Sequence, residues 1–287
     1  MLRRDAISAL LAAAARAGPR GSLDRFFEPA QGTALLVDVP ARRLVAVHNA
    51  AAAAAQLAPP GSTLKPFVLL ALLRARKLGP DESFACPTNL SIGGRSFACS
   101  HPPIGAAMRI PEALAYSCNC FVAHFAGRFA PGELAAHLER AGLRSCTGWF
   151  GASEAAGRIQ PAVGRDANQL QALGEDRILI TAAGLAMAWR GLALSVDRPE
   201  MQSVVEGLEG AVEFGTAQLA RVPNLKVAGK TGSVRYSAGA HFAWFAGFVP
   251  SRAPRVVVTV VMQGRSGGAD AAPVAGRILE AYRAGKL

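Results

Sequence analysis

The stretch "PPGSTLKPF" places Ser62 three residues before Lys65, just ahead of an apolar run. On a helix, residues three apart share a face, so hydroxyl and amine would be neighbours. At a helix start Ser62 would also meet unpaired N–H groups and the positive end of the dipole, which favour a developing negative charge. A serine hydroxyl becomes a good nucleophile only when a base takes its proton. Lysine can be that base when burial or a nearby cation lowers its pKa. The same two residues also suit a plain helix cap and a solvated charge, so alone they decide nothing.

Two further stretches decide more. "YSCNCF" holds Ser117 and Asn119 two apart within a helical segment, and "AGKTGSV" holds Lys230, Thr231, Gly232 and Ser233 where strand-like runs begin. A substrate ending in a carboxylate needs a cation and a hydroxyl, which Lys230 and Thr231 supply. Gly232 lets a peptide approach the strand edge and pair with it. Lys230 also adds a charge that can help keep Lys65 neutral. Strand alternation sends Lys230 and Thr231 to opposite faces, so both reach one site only if this strand edges a cleft. The chain has five lysines against 26 arginines, and two of the five fall in these motifs. Arginine stays protonated and cannot stand in for a lysine base.

The elements that position these residues are readable from pattern. "TALLVDV" and "RLVAVHN" form an early hairpin. "STLKPFVLLALLRARKLG" is a helix apolar nearly all round, hence central, closing at Gly79-Pro80. Residues 81–200 mix loops with helical patterns such as "PGELAAHLERAGL" and "ITAAGLAMAWRGLAL". Then come three strands, "NLKVAGKTGSV", "HFAWFAGFV" and "RVVVTVVMQG", the last apolar enough to be covered on both faces. Val274, Ile278 and Tyr282 at helical spacing give a closing helix. Early hairpin and late meander can share one antiparallel sheet, with the helical middle as a second lobe and a cleft between them.

In that order, S-x-x-K, S-x-N and K-T-G-S are the signature of the penicillin-recognising acyl-serine enzymes. With the flanks "VDVPARRLVAV", "GEDRILITAAGLAMAWRGLA" and "AGKTGSVRYSAGAHFAWFAGFVP", residues 31–287 resemble the transpeptidase domain of penicillin-binding proteins. The resemblance implies an α/β (α+β) fold, an antiparallel sheet flanked by helices beside a mainly helical lobe. It makes Ser62 the acylated nucleophile, Lys65 its base, and Ser117 a proton shuttle coupled to Lys230. Asn119 would hold the substrate amide, Thr231 the terminal carboxylate, and the N–H groups of Ser62 and Ser233 the oxyanion. The implied substrates are peptidoglycan stem peptides ending in D-Ala-D-Ala, with β-lactams as covalent inhibitors and no cofactor. Larger relatives carry a membrane anchor and an N-terminal partner-binding region, whereas about 30 residues precede the pattern here.

Two other classes compete. A class D-like serine β-lactamase shares S-x-x-K and K-T-G, but the chain has no Y-G-N segment, nor the E-x-x-L-N of class A. A non-catalytic sensor of β-lactam or cell wall would need an output domain, and no segment reads as one.

At 287 residues, 51% hydrophobic and 18% charged, the chain can bury a large core and is not disordered. The net charge of +11 comes from scattered arginines without an aromatic-interleaved stripe, which argues against nucleic acid. A basic surface still suits an anionic envelope polymer. Residues 1–30 read as a signal peptide and linker: Arg3-Arg4, an apolar run from Ala6 to Ala15, and an A-x-A site at Ala15-Arg16-Ala17. Export to the periplasm would follow, and with it disulfide chemistry. Cys86 and Cys99 bracket a Gly-rich turn and are the candidate pair. Free thiols come second, and a zinc half-site with His101 third, because no fourth ligand is evident. Cys118, Cys120 and Cys146 read as packing residues.

Overall fold

The computed structural model of the chain describes residues 21–27, 31–236 and 240–287. The signal-peptide assignment for residues 1–20 lies outside them. Residues 21–27, which the sequence reading puts in a linker, belong to the fold instead. Gly21–Ser22 (β1) pairs in parallel with Ala46 and Val47, and Leu23 and Phe27 are buried among apolar side chains.

The expected hairpin is β2 (Gly32–Asp38) and β3 (Arg43–His48). Four two-residue strands form two separate pairs, β4 (Ser91–Ile92) with β5 (Arg95–Ser96) and β6 (Arg158–Ile159) with β7 (Ile178–Leu179). The late meander is β8 (Ala228–Tyr236), β9 (Ala240–Val249) and β10 (Val256–Gln263), and β10 pairs antiparallel with β2. β1, the hairpin and the meander belong to one six-stranded sheet ordered β1-β3-β2-β10-β9-β8, antiparallel except at β1. Its central β10 is buried along nearly its whole length. Successive valines face opposite ways, Val257 and Val261 into one apolar cluster, Val256, Val258 and Val260 into the other. That is why the run lacks polar alternation.

Nine helices are described: α1 (Ala50–Ala55), α2 (Lys65–Arg74), α3 (Ile110–Ala115), α4 (Asn119–Ala126), α5 (Glu133–Arg140), α6 (Arg165–Ala172), α7 (Ala182–Ala193), α8 (Gln202–Glu213) and α9 (Ala272–Arg283). On one face of the sheet, α7 packs with the central α2; α9 covers the other through Val274, Ile278 and Leu279. Helices α3 to α6 form the second lobe. Among the described residues no helix is long and apolar enough to cross a membrane.

Two local departures from the sequence reading matter for the site. Ser62 sits in a 3-10 turn (Gly61–Leu64), and the α-helix proper starts at Lys65, with Pro66 in its first turn. Helix α2 then ends at Arg74 rather than running on to Gly79. Arg76 takes the left-handed conformation (φ 56) while Lys77 N–H bonds Leu72 O at 2.8 Å, a Schellman-type closure.

Candidate active site

Three chain segments meet at the fully buried Lys65. Its amine donates to Ser117 O at 2.7 Å, to Ser117 Oγ at 3.3 Å and to Asn119 Oδ1 at 2.6 Å. Three acceptors match the three donors of an ammonium. Ser62 lies on the preceding turn, half-buried, its carbonyl accepting the Lys65 N–H.

Ser117 and Asn119 do not lie inside one helix, contrary to the sequence reading. Helix α3 stops, Ser117 turns left-handed (φ 56), and α4 starts at Asn119. Ser117 N–H bonds Leu114 O at 3.1 Å and Cys118 N–H bonds Ala113 O at 2.8 Å, again a Schellman closure. A non-glycine residue there carries backbone strain, which clusters at functional sites. The turn aims both the carbonyl and the hydroxyl of Ser117 at Lys65. The Asn119 amide nitrogen donates to Phe97 O at 3.0 Å, tying this turn to the loop before α3.

The third segment is β8. It is the edge strand of the sheet, the condition under which Lys230 and Thr231 can both serve one cleft. Lys230 is fully buried and donates to Thr231 O at 3.2 Å, while Thr231 Oγ1 bonds Thr216 Oγ1 at 2.9 Å. Gly232 is required by packing: a Cβ there would stand 2.7 Å from Pro60 O, so only glycine lets the Ser62 turn close on the strand. The same closeness brings the Ser233 backbone nitrogen to 3.5 Å from where a Gly61 Cβ would be. The Ser233 hydroxyl is turned elsewhere and accepts Gly267 N–H at 2.9 Å.

Burial lowers the Lys65 pKa to about 8, partly offset by nearby thiols and Glu175. Burial also lowers Lys230 well below its ordinary range, and the Lys65 charge lowers it further. Desolvation, rather than Lys230, is therefore the main influence on Lys65. Burial raises the Glu175 carboxyl, against the pull of Arg95 and Lys65. Sequence reasoning passed over Glu175, Thr216 and Phe97, since each reaches the site only through long-range packing. Glu175 is brought close by its neighbour Gly174, whose carbonyl accepts the Gly61 N–H at 3.1 Å.

All five cysteines are free thiols. The Cys86 and Cys99 sulfurs stand 3.7 Å apart, so the expected disulfide is not formed in this structure. A third sulfur stands beside them: Cys118 Sγ is 3.4 Å from Cys86 and 3.7 Å from Cys99. His101 joins them, and Cys86, Cys99, His101 and Cys118 form a group able to hold a metal ion. The fourth ligand that the sequence did not reveal is thus the middle residue of S-C-N. A hydrogen bond from Cys118 pulls the Cys99 thiol down, while that contact pushes Cys118 up and burial pushes Cys120 up.

The fold, a sheet flanked by helices beside a mainly helical lobe, is that of penicillin binding protein transpeptidase domains. The sequence matches the penicillin binding protein transpeptidase domain over residues 31–280, and the chain belongs to that family. Solved structures of similar fold include PBP2 of Pseudomonas aeruginosa in complex with WCK 5153, at TM-score 0.80 and 19% identity over 91% of this chain and 72% of that one. A peptidoglycan glycosyltransferase from Burkholderia ambifaria aligns at TM-score 0.80 and 22% identity, covering 92% of this chain and 91% of that one. The D,D-transpeptidase domain of a peptidoglycan glycosyltransferase from Eggerthella lenta aligns at 0.74 and 20%, covering 92% and 81%.

Proposed function

We propose that the chain is a serine D,D-transpeptidase or D,D-carboxypeptidase acting on peptidoglycan stem peptides that end in D-Ala-D-Ala, and that penicillins acylate the same serine. The observation that carries this reading is the meeting at Lys65 of S-x-x-K, S-x-N and the Lys230 strand, three motifs far apart in sequence.

Neutral Lys65 takes the Ser62 proton, and Ser62 Oγ attacks the carbonyl of the penultimate D-Ala. The tetrahedral oxyanion is held by the N–H groups of Ser62 and Ser233, and such donors are typically worth about 3–4 kcal/mol each. Ser117 passes a proton to the leaving amine, the C–N bond breaks, and terminal D-Ala departs. An amine from a neighbouring stem peptide, or water, then takes the acyl group and releases Ser62. Thr231 and Lys230 bind the substrate carboxylate, and the outer edge of β8 pairs with the peptide backbone. Asn119 contributes its second amide hydrogen to the substrate, the first being held by Phe97 O.

The enzyme works outside the cytoplasm, where its substrate is, exported by the N-terminal segment. Incubation with nitrocefin tests the reaction class. A stoichiometric, long-lived adduct supports a transpeptidase or carboxypeptidase. Rapid multiple turnover would instead make the chain a β-lactamase.

A further inference from the structure

Between α2 and α3 runs a long connection, residues 75–109, whose regular structure is a two-stranded pair of two residues each, β4 (Ser91–Ile92) and β5 (Arg95–Ser96). Connections of that length inside a compact domain need something besides secondary structure to hold them. This one delivers Cys86, Cys99 and His101 to Cys118, with all four ligand atoms within 4.8 Å of one another.

The spacing is that of a coordination shell. Metal–sulfur bonds of about 2.3 Å in a tetrahedron give sulfur–sulfur edges of about 3.8 Å. The three sulfur pairs stand at 3.7, 3.7 and 3.4 Å, and Cys86 Sγ is 3.7 Å from His101 Nε2. The surroundings are those of metal-bound thiolates. Each sulfur accepts one backbone N–H at 3.3 Å: Thr88 to Cys86, Asn119 to Cys99, Phe121 to Cys118. His101 Nδ1 lies 2.8 Å from Pro102 O, which fixes the tautomer whose Nε2 is free to coordinate. Cys120, 3.6 Å from Cys99, turns its sulfur to Asn89 O and stays outside the four.

We propose that Cys86, Cys99, His101 and Cys118 bind one zinc ion, and that this ion holds the Ser117–Asn119 turn against Lys65. Three thiolates and an imidazole in a closed tetrahedron select zinc among the common divalent ions, and a full set of protein ligands marks the site as structural. The positioning role rests on the acyl-serine reading above; the binding of zinc does not. The link is short. Cys118 is the residue between Ser117 and Asn119, Asn119 N–H bonds the Cys99 sulfur, and Asn119 Nδ2 bonds Phe97 O two residues before Cys99. The ion would therefore staple the 75–109 connection to the turn that carries all three acceptors around Lys65.

The test begins with zinc content of the full chain, purified under reducing conditions without chelator and measured by mass spectrometry for metals. The expected result is one zinc per chain, absent or held far more weakly in Cys86→Ser and in His101→Gln, and unchanged in Cys146→Ser. Cobalt(II) added to the metal-free wild type should give thiolate charge-transfer and tetrahedral ligand-field bands, a readout that no variant's folding can confuse. Metal-free protein should acylate with fluorescent penicillin at least tenfold more slowly and recover on adding zinc. Absence of zinc together with no cobalt spectrum overturns the site, as does a Cys86–Cys99 disulfide in the native chain. Zinc bound but acylation equal with and without it overturns the positioning role. Zinc bound with no acylation in either form also overturns that role, through failure of the acyl-serine reading, and leaves the metal site standing.

Discussion

Lys65 Nζ donates to Asn119 Oδ1 at 2.6 Å, across 54 positions of sequence. That bond, with the two to Ser117, joins the buried start of α2 to the turn between α3 and α4. It leaves the amine fully satisfied as an ammonium, and the proposed base would form once a single proton is lost. The site's chemistry depends on that balance.

Replacing Lys65 by Arg tests the base directly. Arginine keeps the positive charge but stays protonated and does not accept the Ser62 proton. Acylation by labelled penicillin should fall by about 100-fold or more, the usual scale for a lost general base. A thermal melt alongside separates this from unfolding of the buried site.

The pH dependence carries a definite sign. In the proposed mechanism the active form is neutral Lys65, whose pKa is lowered to about 8. The acylation rate should therefore climb with pH through the neutral range and level off above about 8. The same limb should vanish from the residual rate of Lys65→Arg. Stopped-flow acylation across buffers of constant ionic strength gives both curves.

Gly232 fixes the distance between β8 and the Ser62 turn. A methyl group there would meet Pro60 O at 2.7 Å and Thr63 Cγ2 at 3.1 Å. Gly232→Ala should cost about 1–3 kcal/mol of stability through overpacking. It should slow acylation more than that loss accounts for, because the strand and the nucleophile separate. Denaturant melts compared with acylation rates check this.

Thr231→Val keeps the shape and removes the hydroxyl that now bonds Thr216. If that hydroxyl meets the substrate carboxylate, the lost charged hydrogen bond is worth about 1.5–3 kcal/mol, or roughly a 10- to 100-fold rise in KM. An amidated substrate, lacking the charge, should be far less affected. Steady-state kinetics on the two substrates distinguishes the cases.

The sequence made the strands and the site segments legible because both rest on local patterns. The apolar run 256–262 reads as a doubly covered strand, and the four residues Lys230 to Ser233 read as an edge that meets a peptide. What stayed hidden depends on backbone turns and distant partners. A left-handed serine at position 117 breaks a segment whose composition reads as helix, because the Schellman closure outweighs the local preference. The 3-10 turn at Ser62 reflects Pro66 and the close approach of Gly174 and Gly232, which no pattern around Ser62 records. Cys118 reads as packing because its partners lie 19 and 32 residues away, reached only when the 75–109 connection folds back.

The proposed mechanism stands or falls on acylation of Ser62. Intact-mass spectrometry of the chain with benzylpenicillin, followed over time, measures it most directly. One penicilloyl adduct per wild-type chain is expected, persisting for many minutes, and none on Ser62→Ala with an unchanged melting profile. An unmodified wild type, or an equal adduct on Ser62→Ala, would contradict that mechanism.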